Sequence, residues 1–265
     1  MTTAENLAVD LIGTVVDAAR FSPRNRQVAI GPSEIGHPCN RHLAYKTMGA
    51  LITRTDSDPW ASIVGTAVHA WLASAFAAAN LVLDEPRWLV EQRVHPTPGL
   101  SGSCDLYDLW LDAVIDHKVV GTDALSQARA HGPSQQYRVQ GQIYGLGWER
   151  LGRSPREVAI AYWPRGPANP FKSGSGGLSG MYLHREPYDR QVAIDALDRL
   201  SLVSAAAATL NVDTEPAFAS LIPCTPDDHC RYCPYRSMDE GDGGCCDAPK
   251  AEVAAPRGRV AGMKL

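Results

Sequence analysis

The chain has 265 residues, 45% of them apolar and 20% charged, which supplies a globular core and excludes wholesale disorder. Lysine and arginine number 25 against 29 acidic residues, a net charge of −4, so any nucleic-acid contact must come from a local patch. No run approaches eighteen uninterrupted apolar residues, and residues 1–20 lack a basic leader region; neither a membrane span nor an export signal is expected, and the chain is read as cytoplasmic. Seven cysteines in a reducing compartment point to metal binding rather than to disulfides.

Residues 1–20 predict an amphipathic helix, and 21–32 a connector. Ser33 is placed as the N-cap of a short helix that Pro38 interrupts, with Cys39 just after the break. Residues 59–79 form the clearest helix: Trp60, Ile63, Val64, Ala67, Val68, Trp71, Leu72, Ala75 and Phe76 recur at helical spacing as its buried stripe. His69 borders that stripe, one turn beyond Gly65. Strands are predicted at 89–94, 101–110 and 113–120, the last two joined by a hairpin near Leu111 and Asp112. Gly121 and Thr122 break the pattern. A helix is expected over 133–151, ending near Gly152. A fourth strand follows at 158–163, a Gly/Ser/Pro-rich loop at 164–180, a fifth strand at 181–185 and a long helix at 188–210.

Asp116 and Lys118 stand two apart on an apolar strand, which places them on one face. A carboxylate and an ammonium are costly there unless they serve something. Asp105 on the preceding hairpin strand and His69 on the flanking helix are positioned to face the same point. Two carboxylates and an imidazole suit Mg²⁺ or Mn²⁺, and the backbone carbonyl of His117 would complete the shell. Such an ion polarises a phosphodiester and lowers the pKa of a bound water, while Lys118 orients that water or stabilises charge on the phosphate. Gln140 and Tyr144, with Gln136, share one helix face and offer groups to hold the lysine or a phosphate.

Four motifs in order carry a resemblance: Gly65 to His69, Gly102 with Asp105 as G-x-x-D, Asp116 with Lys118 as D-x-K, and Gln140 with Tyr144 as Q-x-x-x-Y. The set resembles the RecB-type branch of the PD-(D/E)xK nucleases. The resemblance implies a restriction-endonuclease-like fold in which His69, Asp105 and Asp116 bind the catalytic metal. Lys118 would be the catalytic lysine, and Gln140 and Tyr144 would support the active site or DNA. Position 116 is Asp where the family often has Glu, which shortens the metal reach.

Cys230 and Cys233 form a C-x-x-C, with Cys224 before it, Cys245 and Cys246 after it, and Cys39 far upstream. Four thiolates suit a [4Fe-4S] cluster or a tetrahedral Zn²⁺. Cys104, beside Asp105 on a strand, reads as a buried free thiol. One cysteine before the nuclease motifs and three after resemble the iron–sulfur members of the same branch, among them the CRISPR-associated exonucleases of the fourth Cas family. That implies Cys39, Cys230, Cys233 and Cys245 as ligands of a structural cluster stapling the chain ends. Cys246 and Cys224 remain alternatives, and zinc the other metal.

Residues 127–172 carry seven basic side chains against two acidic ones in an otherwise acidic protein. Arg129, Arg138, Arg165 and Lys172 in that stretch are the candidate DNA-backbone contacts, and Trp163 and Phe171 could stack on exposed bases. The Gly-rich run 172–180 lacks P-loop spacing, which excludes a Walker-type ATP site.

The sequence therefore predicts an α/β protein with a central mixed sheet flanked by helices and a cysteine-bound C-terminal subregion. Its parts are an N-terminal helix and connector (1–32), a nuclease core (33–220), a cluster-binding region (221–248) and a tail (249–265). The expected function is metal-dependent DNA cleavage as an exonuclease on single-stranded ends, with recombination, repair or CRISPR-adaptation proteins as partners. The competing reading is a non-catalytic, metal-stapled nucleic-acid-binding or adaptor protein of the same fold. Intact Asp105, Asp116 and Lys118 favour the enzyme.

Overall fold

The structure, a computed structural model, describes residues 4–20, 29–50, 58–166, 180–225, 230 and 233–235. Two compact units divide the chain. One combines Ile30–Pro38 with Trp60–Leu202; the other draws on Met1–Ala29, Cys39–Pro59 and Val203–Leu265.

The first unit is built on one five-stranded sheet whose strands lie in sequence order: β1 (Trp88–Thr97), β2 (Leu100–Asp108), β3 (Ala113–Val120), β4 (Glu157–Pro164) and β5 (Tyr182–Pro187). All neighbours are antiparallel except β3 and β4, which pair in parallel and so make the sheet mixed. A parallel pair needs a long crossover. Here α5 (Thr122–His131) and α6 (Gln135–Arg150) supply it. The expected mixed sheet flanked by helices is therefore present.

Period-two geometry assigns the faces. Val114, Val158 and Tyr144 share one apolar cluster, and Val120, Leu125, Ala128, Ile160 and Tyr162 another. Helices α5 and α6 thus cover the face that carries Val114, Asp116, Lys118 and Val120. The opposite face presents His117, whose ring stacks on Phe76 of α4 (Trp60–Asn80) at 5.6 Å. Two short elements complete the α6 side: α2 (Pro32–Ile35) and the start of α7 (Arg190–Thr209), through Ile35, Ala193 and Ala196 against Val139, Ile143 and Leu146.

Several local expectations need correction. Gly121 and Thr122 break the strand as expected, but a helix that was not expected, α5, starts there, with extended Gly121 as its N-cap. Only Leu125 and Ala128 of that helix are buried, too thin a stripe to register as periodicity. The cap of α2 is Gly31 rather than Ser33: Pro32 occupies the first helical turn, and the Gly31 N–H donates to Glu34 Oε2 at 3.0 Å. Helix α4 exists as expected, yet its stripe is not buried. Trp60 and Trp71 are 61% and 64% exposed, and Leu72 is the one fully buried residue. The sheet takes a narrower strip than the apolar residues offer, because His69 and Phe76 occupy it. By length and composition alone, helix α4, which carries no Asp, Glu, Lys or Arg, is apolar enough to cross a membrane.

The second unit contains α1 (Ala4–Arg20), α3 (Asn40–Thr47) and a 3-10 helix at Pro216–Leu221. Cys39 is the extended N-cap residue of α3. Buried Arg41 ties α3 to the chain's later part: its Nε donates to the Ile222 carbonyl at 3.0 Å and its Nη2 to that of Ser220 at 2.9 Å. Tyr45 and His42 both pack on Tyr235, with ring centroids 5.0 and 5.3 Å apart.

Candidate active site

The β2–β3 ladder is short. It pairs Leu106 with Ile115, Tyr107 with Val114 and Asp108 with Ala113. Asp105 and Asp116 are the next residues beyond its last pair. The His117 N–H, which a longer ladder would give to a carbonyl, donates instead to Asp105 Oδ2 at 2.7 Å. Asp105 thus fills the place where the two strands stop pairing. Gly102, three residues earlier, lies against Tyr144 and Pro32: a Cβ there would stand 3.1 Å from the Tyr144 ring and 2.8 Å from Pro32. That accounts for the glycine of the G-x-x-D in steric terms.

On the α6 side of the sheet, Lys118 Nζ lies 2.7 Å from Asp116 Oδ2. Gln140 bridges the pair: its Oε1 accepts from Lys118 Nζ and its Nε2 donates to Asp116 Oδ1, both at 2.8 Å. Gln140 Nε2 also lies 3.5 Å from the Tyr144 hydroxyl. The Lys118 ammonium sits 4.5 Å above the Tyr137 ring, a cation–π contact the sequence did not suggest. Across the sheet, His69 of α4 places Nδ1 3.4 Å from Asp105 Oδ1. His69, Asp105, Asp116, Lys118, Gln140 and Tyr144 therefore join into one network that passes through the gap between β2 and β3.

The electrostatics follow from burial and pairing. Burial pushes the Asp116 carboxyl up to about 6, against the opposing pull of Lys118. Burial also acts upward on Asp105, but the His69 hydrogen bond and the neighbouring charges outweigh it and hold this carboxyl below its usual range. The same hydrogen bond raises His69. Burial drops His117 to about 4, so its ring is neutral at pH 7. That ring accepts from Trp163 Nε1 through Nδ1 at 3.3 Å. Trp163 is thus engaged by His117 through its indole N–H, and it is half-buried.

The donor set suits a divalent cation. An imidazole and carboxylates are present, while Asp116 Oδ2 is held by the Lys118 ammonium at 2.7 Å. The sequence missed Glu91. It lies on β1, and one ligand atom each from His69, Glu91 and Asp105 lie within 4.8 Å of one another. Glu91 also adopts φ 49, a left-handed conformation that costs a non-glycine residue about 1–2 kcal/mol.

Of the candidate DNA-contacting arginines, two are engaged by neighbouring groups. Arg138 pairs with Glu186 at 2.7 Å, and Arg129 Nη2 donates to the Gly180 carbonyl at 2.6 Å. Arg165 is exposed, with Nη2 beside Gly121. Lys172 and Phe171 lie outside the described residues.

In the second unit Cys39, Cys230 and Cys233 are buried, and none of the described cysteines forms a disulfide. Cys233 Sγ lies 3.7 Å from His42 Nδ1. Cys104 is buried in the sheet unit, as expected. Cys245 and Cys246 lie outside the described residues.

No protein-family model matches the chain, and no curated protein matches it in sequence. Among solved structures it is similar to a phage-related exonuclease from Haemophilus somnus 129PT, at 13% identity and a TM-score of 0.46 over 66% of this chain and 82% of that one. It is likewise similar to the alkaline exonuclease LHK-Exo from Laribacter hongkongensis, at 13% identity and a TM-score of 0.48 over 75% and 97%. The protein SSO0001 is similar at 13% identity and a TM-score of 0.46 over 86% and 94%.

Proposed function

We propose that the protein is a metal-dependent DNA nuclease, an exonuclease that acts on single-stranded ends. The observation that carries this reading is the placement of the His69–Asp105 pair, hydrogen-bonded to the His117 backbone N–H, next to the Asp116–Lys118–Gln140 cluster on the same strand. His69, Asp105 and Asp116, with the His117 carbonyl, would hold Mg²⁺ or Mn²⁺. Bound there, the cation supplies a polarised phosphodiester and a water of lowered pKa. Lys118 stands beside the reacting phosphate and offsets the negative charge that develops on its oxygens. Gln140 fixes the lysine and keeps Asp116 aimed. Tyr144 supports Gln140, and Tyr137 lies against the ammonium.

The test is cleavage of end-labelled linear and circular single strands with Mn²⁺. The nuclease degrades the linear strand alone. Lys118→Ala and Asp116→Ala lose cleavage by at least about 100-fold while still binding DNA. Unchanged turnover in a clean preparation of either variant counts decisively against the assignment.

The buried thiols of Cys39, Cys230 and Cys233 support a structural [4Fe-4S] cluster, with Cys245 or Cys246 as fourth ligand. The imidazole beside Cys233 favours zinc as the second reading, with His42 in the ligand set. Anaerobic purification followed by a visible spectrum and iron and zinc analysis separates the two.

A further inference from the structure

We propose that Tyr137 is a positioning residue of the cleavage reaction: its ring face holds the Lys118 ammonium at the site and leaves the charge and one N–H of that ammonium for a substrate phosphate. This rests on the nuclease reading above, in which Lys118 serves the phosphate. Lys118 Nζ lies 4.5 Å from the Tyr137 ring centroid, inside the roughly 6 Å at which a ring face attracts a cation. An ammonium has three donors, and two are engaged here, by Asp116 Oδ2 at 2.7 Å and by Gln140 Oε1 at 2.8 Å. A second carboxylate in place of the ring would take the third donor and cancel the charge. A ring face attracts the cation with its quadrupole, so it has no acceptor atom to fill and no net charge to cancel the lysine's own. The ring thus keeps the lysine in place while sparing what a phosphate needs from it.

The ring is itself held. Tyr137 lies in the first turn of α6, where its backbone N–H donates to the hydroxyl of the N-cap residue Ser134 at 3.4 Å. Gln140 follows three residues later, so the ring and the amide that contact Lys118 share one helix face. Below them, Lys118 pairs with Tyr162 across β3–β4, and Tyr162 with Tyr182 across β4–β5. Tyr137 packs on Tyr162 with ring centroids 6.3 Å apart, and Tyr162 stacks on Tyr182 at 5.8 Å. Tyr162 is buried with Val120 and Ile160 in the apolar cluster against which Tyr137 also packs. The ring beside the lysine therefore stands on a buried aromatic base. Among the described residues the Tyr137 hydroxyl has no hydrogen-bond partner, so the ring face is what this side chain offers the site.

The experiment changes the charge on the ring face while keeping its shape. Tyr137→Phe is compared with the same variant carrying mono-, di- and trifluorinated phenylalanine at that position, and with Tyr137→Leu, each checked by Tm. Cleavage of a labelled single strand by the full chain with Mn²⁺ gives kcat and KM. Fluorination should lower kcat stepwise, to roughly 3–30-fold below Tyr137→Phe, with KM and Tm unchanged. Tyr137→Leu should fall at least as far, and the conservative Tyr137→Phe should restore kcat to within about twofold of wild type. A side chain that only fills space gives a flat series. A second readout needs no turnover: NMR of isotope-labelled lysine. Lys118 is one of five lysines, assigned through Lys118→Arg, and its side-chain protons should lie upfield of the others because of the ring current. That shift should persist in Tyr137→Phe and vanish in Tyr137→Leu. An active wild type with a flat fluorination series overturns the positioning role alone, as does a Lys118 resonance without the ring shift. A ring-shifted Lys118 in a wild type that cleaves no DNA removes the nuclease reading, and the positioning role with it.

Discussion

The amide oxygen of Gln140 accepts a hydrogen bond from Lys118 Nζ at 2.8 Å, so a helix residue sets the position of a lysine on a central strand. The same amide donates to Asp116, and neither Lys118 nor Asp116 keeps this geometry if the amide is cut away. Gln140→Ala should lower kcat for Mn²⁺-dependent cleavage by roughly 10–100-fold with little change in KM. Gln140→Glu should fall as far, because a carboxylate cannot donate to Asp116. Steady-state kinetics on a labelled single strand checks both.

Gly141 gives α6 its approach to the sheet. A Cβ at that position would overlap Val158 Cγ1 on β4. Gly141→Ala should cost about 1–3 kcal/mol of stability and displace Gln140, so that Tm and cleavage fall together. Adding Val158→Ala opens space for the new methyl group. The double variant should regain part of both losses, and thermal unfolding of the three variants measures it.

Glu186 on β5 predicts a pH dependence of stability. Burial pushes its carboxyl upward, but hydrogen bonds from Gln142, Arg138 and His184 outweigh that and hold it below its ordinary 4.5. A carboxyl depressed in the folded state stabilises the fold fully above its unfolded pKa, and that share is lost as pH falls through the folded value. The Tm difference between wild type and Glu186→Gln should be constant from about pH 6 to 7 and shrink below about pH 4.5. A gap that widens toward acid contradicts the sign.

Arg41 is 6% exposed and donates to two carbonyls near the 3-10 helix. Arg41→Ala leaves those acceptors without their charged partner, a loss of about 2–4 kcal/mol within that unit. Hydrogen exchange should then speed up over α3 and residues 216–222, while amides of β3 and β4 keep their protection.

The parts of this molecule that could be read from sequence are those where one period dominates. Residues 113–120 are legible to the residue, because apolar runs on either side flank Asp116 to Lys118 on a strand buried on both faces. The pairing of Asp105 with the β3 backbone follows from a ladder that stops early, and no sequence pattern marks where strands part. Glu91 was invisible for a related reason: one acid in residues 88–97 looks like any outward-facing strand residue until the groups beside it in space are known. Helix α4 misled in the other direction. Its periodicity is real, but periodicity states which side is apolar, not how wide a strip the sheet covers, and Trp60 and Trp71 stay in solvent. Asp116 and Lys118 were legible because period two alone places them together, whereas Tyr137 needed the helix to be docked before its ring met the ammonium.

The parallel union of β3 and β4 has a consequence for how the chain is made. A ribosome delivers β3 well before β4, since α5 and α6 intervene. Until residue 164 is clear of the exit tunnel, the strand bearing Asp116 and Lys118 has a bare edge and an uncovered apolar face. During that interval the nascent polypeptide is open to unwanted pairing with other strands. Slow codons just after β4, rather than before it, would give the crossover time to settle, and a synonymous recoding experiment could read this as soluble yield.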